Sequence, residues 1–481
     1  MNISMILEMA ASAGGRTAVT GGGRSLTAAD VLRLARAAAT RFRRHQAVLY
    51  VGANHLAYPV ALFGAALAGV PFVPLNYRLG EQQLDGLLAR HPGALVLRPD
   101  DFDDLLDTTT DSDSDTDAAE DAAAPSDPDG VAALLYTSGT TSEPKAAVLR
   151  HRHLLAYILN TLEFASAAEG DAALVAVPPY HVAGLANVLT NLYTGRRVVY
   201  MAAFDPGEWL ATVRREGITH ALVVPTMLAR IVDTAGDDAG VPTLRTIAYG
   251  GARAPRPVVE RALRAFPETG FVNAYGLTET ASSIAVLGPD DHRTALASGD
   301  PAVADRLNSV GRALPGVEFQ IRRDEGGPAG PGETGLVFVR GEQISGEYGG
   351  RSVLDPDGWF ATRDRGRLDA DGYLFIEGRA DDTIIRGGEN IAPAEIEDVL
   401  LGHPGVTEAV VLGVPDPEWG QRVVAVVVGA GDPAEVRRWV KDRLRSSKTP
   451  DTVVFRDELP KTETGKTLRR VLLAELESTH A

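Results

Sequence analysis

The sequence predicts an α/β fold: a large N-terminal domain of stacked parallel-sheet βαβ subdomains with a small β-rich unit, then a small C-terminal α+β domain. Three observations carry this. Short, near-continuous apolar runs alternate with helix-length segments as far as about Ala274, the pattern of parallel strands covered on both faces. After about Pro315 Gly, Pro and Asp become dense around short strand-like runs. From Arg379 a second, shorter alternation of helix and strand begins.

The elements follow in order. Thr27 with Asp30 three residues on reads as a helix start, and Val31, Leu32, Ala35, Ala38, Ala39 and Phe42 recur at helical spacing. Ala47–Val51 is a buried strand, Leu56–Ala68 an apolar helix and Pro71–Leu75 the next strand, which together make one βαβ unit. Further strands are predicted at 94–97, 132–136, 172–177, 197–201, 221–224, 246–249 and 271–274, with helices at 206–216 and 257–266. The β-rich unit takes strands at 336–340 and 373–377. The last module takes helices at 393–401 and 433–444 and strands at 409–414, 422–428 and 452–455. No internal repeat is present.

Length and composition narrow the function. A chain of 481 residues exceeds one ordinary core, and 44% hydrophobic with 23% charged residues is a globular balance. No apolar run is long enough to span a bilayer, and the first residues lack the marks of a secretory signal, so a cytoplasmic protein without a membrane partner is expected. The absence of cysteine excludes disulfides, thiolate metal sites and a covalent thiol intermediate on the protein. Of the net charge of −17, the stretch Pro99–Gly130 supplies −13. An acidic disordered loop is therefore expected over about 100–129, and the remaining surface shows no basic excess that would suit a nucleic acid.

Four segments carry chemistry. Leu135–Lys145 (LYTSGTTSEPK) follows a strand and sets hydroxyls and a glycine ahead of a lysine, a natural anion cradle that is not a Walker A loop, because no glycine directly precedes Lys145. Asn273–Thr280 (NAYGLTET) closes an apolar strand and offers an aromatic ring, a hydroxyl and a carboxylate where ligands of open α/β sheets bind. Asp357–Asp364 (DGWFATRD) ends on a carboxylate that can accept both hydroxyls of a ribose. Leu459–Thr467 (LPKTETGKT) is a P-loop near miss with Pro460 in place of the first glycine and too little chain after it for an NTPase core. A lysine on a glycine-bearing loop that reaches a site built elsewhere fits it better.

In this order the four segments resemble the adenylate-forming superfamily of acyl-CoA synthetases, adenylation domains and luciferases. Gly387–Glu397 (GGENIAPAEIE) is most similar to acyl- and aryl-CoA ligases, including the o-succinylbenzoate-CoA ligase branch, and Pro178–Gly184 (PPYHVAG) to the segment lining their acid pocket. The resemblance implies an N-terminal adenylation domain over 1–380 and a mobile C-terminal domain over 381–481, hinged at Asp381. It gives Thr137, Ser138, Gly139, Thr140, Thr141 and Lys145 to the β- and γ-phosphates of ATP. Gly251, Ala252, Arg253 and Tyr275 go to adenine, Thr278 to the α-phosphate, Glu279 to Mg²⁺, and Asp364 and Arg379 to ribose. Lys466 is the catalytic lysine bridging the attacking carboxylate and the α-phosphate, and Gly388 lies beside the pantetheine tunnel of coenzyme A.

The acid pocket draws on His181, Val224, Gly250 and Leu277, a mostly apolar set that suits an aromatic or medium-sized hydrophobic acid. The implied reaction is formation of acyl-AMP and pyrophosphate from the acid and MgATP, followed by thioester formation with CoA. The alternative acceptor is a carrier protein's phosphopantetheine, an amine or another small nucleophile. Ser142, Ala146 and Arg363 stand where the family pattern has glycine.

Overall fold

The structure is a computed structural model that describes residues 1–107, 127–137, 145–236, 240–387, 389–462 and 465–478. Among these residues the strands form five sheets. The largest runs Arg312–Ala313, Ser282–Leu287, Gly270–Leu277, Thr246–Gly250, His220–Val223, Ala172–Val175, Arg197–Tyr200, Thr17–Gly21 and Arg24–Thr27. Its six middle strands are parallel, five of them at the predicted apolar runs and the sixth at Thr17–Gly21. Its outer strands are antiparallel, which the sequence pattern does not announce.

The second sheet repeats this plan. Val131–Thr137, Phe72–Leu75, Val48–Val51 and Leu95–Leu97 are parallel. Lys145–Arg150, Glu347–Tyr348 and Arg351–Ser352 continue it antiparallel. The helix Ala57–Ala68 is buried along its whole length, which is why its sequence is apolar on every face. Thr27 and Asp30 close the expected capping box on the helix Ala28–Phe42, with Thr27 Oγ1 accepting from the Asp30 N–H at 3.1 Å. Asn54, buried after the strand Val48–Val51, donates to the carbonyls of Val177 (3.0 Å) and Met201 (3.1 Å), tying the ends of the two large sheets together.

The β-rich unit is a four-stranded antiparallel sheet of Val317–Arg322, Gly335–Gly341, Phe360–Leu368 and Leu374–Arg379. In the last module Gly420–Gly429 lies between Val406–Asp416, antiparallel, and Thr452–Arg456, parallel. The helices Pro393–Leu401, Pro433–Lys441 and Arg469–Ser478 accompany them.

Two expectations change. The acidic segment begins as structure, not loop: Pro99–Asp107 is a helix that buries Phe102, Leu105 and Leu106, and Phe102 stacks on Tyr50 at 4.7 Å. Three apolar residues at helical spacing outweigh five acidic ones on the opposite face. Residues 108–126 of that stretch lie outside the described residues. The helices Ser4–Ser12, His151–Thr161 and Val182–Thr194 and the strand pair Thr17–Gly21 and Arg24–Thr27 add to the predicted elements.

Candidate active site

Parallel strands end on one edge, and that edge gathers the predicted residues. Gly270–Leu277 carries Tyr275 and Leu277 to it; its neighbour Thr246–Gly250 ends at Gly250, opposite Ala274 in register, and leads into Gly251–Arg253. The next strand, His220–Val223, delivers Val224 as the N-cap of the helix Pro225–Ala235. Beyond Ala172–Val175 the chain runs through Pro178–Tyr180 to His181, which starts the helix Val182–Thr194. The Tyr58 hydroxyl donates to the Pro179 carbonyl at 2.9 Å and pins this turn from the second sheet. His181 packs its ring 4.5 Å from that of Tyr180.

Two glycines are dictated by contact. A Cβ on Gly250 would lie 2.2 Å from the Ala274 carbonyl oxygen, and one on Gly276 1.9 Å from that of Ser282. Immediately after Thr278–Thr280, Ala281 (φ +57°) and Ser282 (φ +128°) take left-handed conformations that L-residues avoid. The Thr280 hydroxyl accepts from the Leu277 N–H at 2.9 Å and closes this turn.

Glu279 is buried. Its carboxylate accepts a hydrogen bond from the Tyr348 hydroxyl, and its backbone carbonyl accepts from the Ser345 N–H at 2.8 Å. Burial, with Glu279 beside it, pushes the Tyr348 phenol well up, so it stays a donor. Among the described residues no cluster of three His, Cys, Asp or Glu side chains assembles. A lone carboxylate at the edge of a polar cleft fits Mg²⁺, an ion bound through one or two carboxylates, water and substrate phosphates, and does not fit a protein-caged metal.

Asp364, 6% exposed, is the hub of the nucleotide end. It accepts from the Tyr275 hydroxyl at 2.5 Å and from Arg379 Nη1 at 2.9 Å, and Asp364 and Arg379 are paired in register on adjacent strands. Arg379 also donates to the Thr362 carbonyl at 2.9 Å. Burial and the neighbouring Asp364 raise the Tyr275 phenol far above its ordinary value, keeping it protonated.

A bulge aims Asp364. Leu336 pairs with Arg365 and Phe338 with Ala361, so the single residue Val337 faces three, Thr362 to Asp364. At its centre Arg363 holds φ +63°. This is the physical reason a glycine suits the position; an arginine there costs about 1 kcal/mol.

The last module reaches this edge. Lys466 sits on a turn in which Thr462 N–H donates to the Lys466 carbonyl (2.7 Å) and Lys466 N–H to Thr462 Oγ1 (3.0 Å). The turn is pressed on the acid-pocket wall: a Cβ on Gly465 would come within 2.3 Å of Thr226 Oγ1. Lys466 leaves much of its own surface open, but crowding in the cleft, aided by Arg379, lowers its pKa against the pull of Asp382 and Asp364.

Arg253 is turned from the strand edge to Asp398 on the helix Pro393–Leu401, a contact between the two parts of the chain. Asp381 lies exposed in a 3₁₀ turn, Ala380–Asp382, directly after Arg379.

Lys145 is exposed at the start of its strand, and Ala146 pairs with Tyr136, so this departure from glycine falls in regular sheet. Thr137 ends the partner strand, while Ser138, Gly139, Thr140, Thr141, Ser142 and Gly388 lie outside the described residues. Arg150 donates twice to Glu347 at 2.8 Å, and His151 and His153 behind it are buried.

Tyr348 and Asp398 are site residues that sequence reasoning missed. Each sits in a stretch without chemical signature and is recruited by packing alone. The only advance signal is the glycine pair that follows Tyr348.

Residues 7–348 match the model of the AMP-binding enzyme family, and residues 395–466 match that of the AMP-binding enzyme C-terminal domain. A feruloyl-CoA synthase of Amycolatopsis sp is 37% identical over 477 residues, covering 94% of each chain. A 2-succinylbenzoate–CoA ligase of Geobacillus kaustophilus is 38% identical over 357 residues, covering 72% of this chain and 69% of its own. The o-succinylbenzoate CoA synthetase of Bacillus subtilis, solved with the acyl-adenylate intermediate OSB-AMP, superposes with a TM-score of 0.80 at 29% identity over 97% of both chains. The same enzyme solved with ATP and a magnesium ion gives 0.78 at 28%, over 97% of this chain and 98% of its own. Among the described residues no helix is long and apolar enough to cross a membrane.

Proposed function

The chain belongs to the AMP-binding enzyme family and is an AMP-forming acid–thiol ligase using ATP, Mg²⁺ and coenzyme A; on that premise we propose how its residues divide the work and which acid it takes. The observation that carries the assignment is the Tyr275–Asp364–Arg379 cluster at the strand ends, with the Lys466 turn of the other module packed on Thr226 at the same edge.

Asp364 accepts the ribose hydroxyls, oriented by Tyr275 and Arg379, while the Tyr275 ring and the Gly251–Ala252 edge border adenine. Thr278 donates to the α-phosphate. Thr137, Ser138, Gly139, Thr140, Thr141 and Lys145 hold the β- and γ-phosphates. Glu279, kept in place by Tyr348, is the residue for Mg²⁺, which neutralises phosphate charge when bound.

In the first half-reaction a carboxylate oxygen attacks the α-phosphorus, the bond to the β-phosphate breaks, and pyrophosphate leaves. A carboxylate and a triphosphate repel, so the cleft's main task is neutralisation and alignment. Lys466 does this from the second domain. In the second half-reaction the CoA thiolate attacks the acyl carbon and AMP leaves. Residues 1–380 and 381–481 are the two moving bodies, Asp381 the hinge and Gly388 the residue brought to the pantetheine.

The acid is aromatic. Supporting this are the apolar walls at Val224, Gly250 and Leu277 with the His181 ring, and relatives named for feruloyl and succinylbenzoyl groups. The test is pyrophosphate release, with acyl-CoA identified by mass, over aryl, fatty, dicarboxylic and amino acids. An aryl acid should lead the best fatty acid by at least about tenfold in kcat/KM, the scale on which hydrophobic pockets discriminate. A fatty or dicarboxylic acid leading the panel overturns the aromatic assignment.

A further inference from the structure

The Lys466 turn closes a small hairpin, and what holds the feet of that hairpin has no assigned role. Leu468 N–H donates to the Pro460 carbonyl at 2.8 Å, and Lys461 pairs with Thr467 in an antiparallel bridge. Residues 460–461 and 467–468 are therefore the feet, and each has one basic anchor. Lys461 pairs with Glu408, and Arg469 follows the other foot as the first residue of the helix Arg469–Ser478.

The two anchors differ in kind. Lys461 and Glu408 are 30% and 36% exposed, a surface pair that contributes little. Arg469 instead enters a closed node. Val406–Asp416 is the edge strand of its sheet, and the outward backbone groups of an edge strand need partners. At Val411 the N–H donates to Glu397 Oε1 at 2.7 Å, and the carbonyl accepts from Arg469 Nη1 at 2.7 Å. Arg469 Nη2 donates to the same Glu397 oxygen, on a side chain only 16% exposed.

This node spans the module. Ile396 and Leu400 pack with Val411 on one face of the sheet, and Leu472 and Leu476 pack with Val410 and Leu412 on the other. Arg469 therefore reaches from one helix, past the free edge of the strand, to the helix on the opposite face. Its Nε also lies 3.6 Å from Asp382 Oδ2, in the turn that follows Arg379. One guanidinium joins the hinge turn, both helices and the foot of the lysine hairpin.

We propose that Arg469 is a positioning residue for Lys466. It fixes the foot of the hairpin to the hinge turn and to the strand edge, so that the arrangement of the hinge sets where the lysine stands. A planar fork is needed, because a single ammonium cannot meet the Val411 carbonyl, Glu397 and Asp382 together. The proposal rests on the assignment of Lys466 given above, and the experiment separates the two.

The full chain is compared as wild type, Arg469→Lys, Arg469→Met, Lys461→Ala, Lys466→Ala and the double variant Lys466→Ala with Arg469→Lys. Each is assayed with the acid that leads the panel above, by pyrophosphate exchange, by thioester formation from purified acyl-AMP and by melting temperature. Both Arg469 variants should lose on the order of tenfold or more in kcat for pyrophosphate exchange, the scale set by a small misplacement of a reacting group. Their KM for ATP and their conversion of acyl-AMP should stay within about twofold of wild type, and Lys461→Ala should stay within about twofold throughout. In the Lys466→Ala background Arg469→Lys should add no further loss, because a group that acts through the lysine has nothing left to position.

Unchanged exchange in both Arg469 variants overturns the proposal. So does an equal loss of both half-reactions, which would mean that the node only holds the module together. Losses that multiply in the double variant overturn it too, as does a rise confined to the KM for CoA, which would make Arg469 a ligand of that cofactor. Normal exchange by Lys466→Ala alone overturns the assignment of the lysine itself, whatever the Arg469 variants do.

Discussion

The nucleotide edge of the large sheet and the C-terminal turn that meets it are built on opposite principles. Around Asp364 and Glu279 the groups hold one another: Tyr275, Arg379, Thr362 and Tyr348 interlock across four strands, and both carboxylates are almost wholly buried. Lys466 rests on a short turn closed by local hydrogen bonds, one of them to the Thr462 hydroxyl, and that turn meets the large domain by packing on Thr226. Binding is assigned to the rigid edge and bond-making to the group that can leave. In the proposed mechanism the lysine that helps form the anhydride gives way to the thiol, and such a division permits it.

That contrast can be broken at its sharpest point first. Lys466→Ala should lower adenylation by about 10²–10³-fold, measured as pyrophosphate exchange, since it removes a contact made mainly in the transition state. Its MgATP affinity and its conversion of purified acyl-AMP to thioester should remain near wild type. Normal adenylation by this variant would remove the lysine from the mechanism.

Asp381→Pro tests whether the second body has to move. Asp381 lies in the 3₁₀ turn Ala380–Asp382, and such turns use φ near about −60°, which proline accepts. The variant should keep the arrangement described here and lose the alternative. Pyrophosphate exchange persists, whereas acyl-CoA formation, from acid or from acyl-AMP, falls by at least about 10²-fold. Equal loss of both half-reactions would indicate misfolding, and no loss would show that the chain does not pivot there.

The rigid side has its own signature in acid. Burial holds the His151 and His153 imidazoles down at about 4, against 6.5 when exposed. Each Nδ1 accepts a backbone N–H, from Ile3 and from Arg150. The unfolded chain therefore binds more protons between these values, and stability, complete above about pH 6.5, is lost as pH falls toward 4. His153→Gln should flatten that slope in chemical denaturation at stepped pH. An unchanged slope would place the acid lability elsewhere.

A smaller effect sharpens the contact between the two parts. Arg253 and Asp398 are 39% and 41% exposed, so their pair is worth at most about 1 kcal/mol. Asp398→Ala should lower adenylation by no more than about fivefold while leaving thioester formation from acyl-AMP unchanged or faster. A loss of both would return Arg253 to a direct role at adenine. The smallest effect is expected from deleting 108–126, which leaves melting temperature and activity unchanged because its composition cannot build a core. Phe102→Ala, a few residues earlier, should cost about 3–5 kcal/mol.

The sequence by itself determined most of the parallel strands, the order of the four chemical segments and the identity of the charged groups. Apolar period and strand-ending motifs are local quantities, and a strand end in a parallel sheet is a site wherever it falls. It also determined that position 363 departs from pattern. The backbone at that departure was decided only by tertiary structure: three residues oppose one at Val337, and φ turns positive at Arg363. Tertiary structure likewise supplied Tyr348 beneath Glu279, Thr226 beneath the lysine turn, and the helix hidden in the acidic run. These are contacts between residues far apart in the chain. Their partners are chosen by the closure of sheets and by packing, and neither is written in the residues on either side.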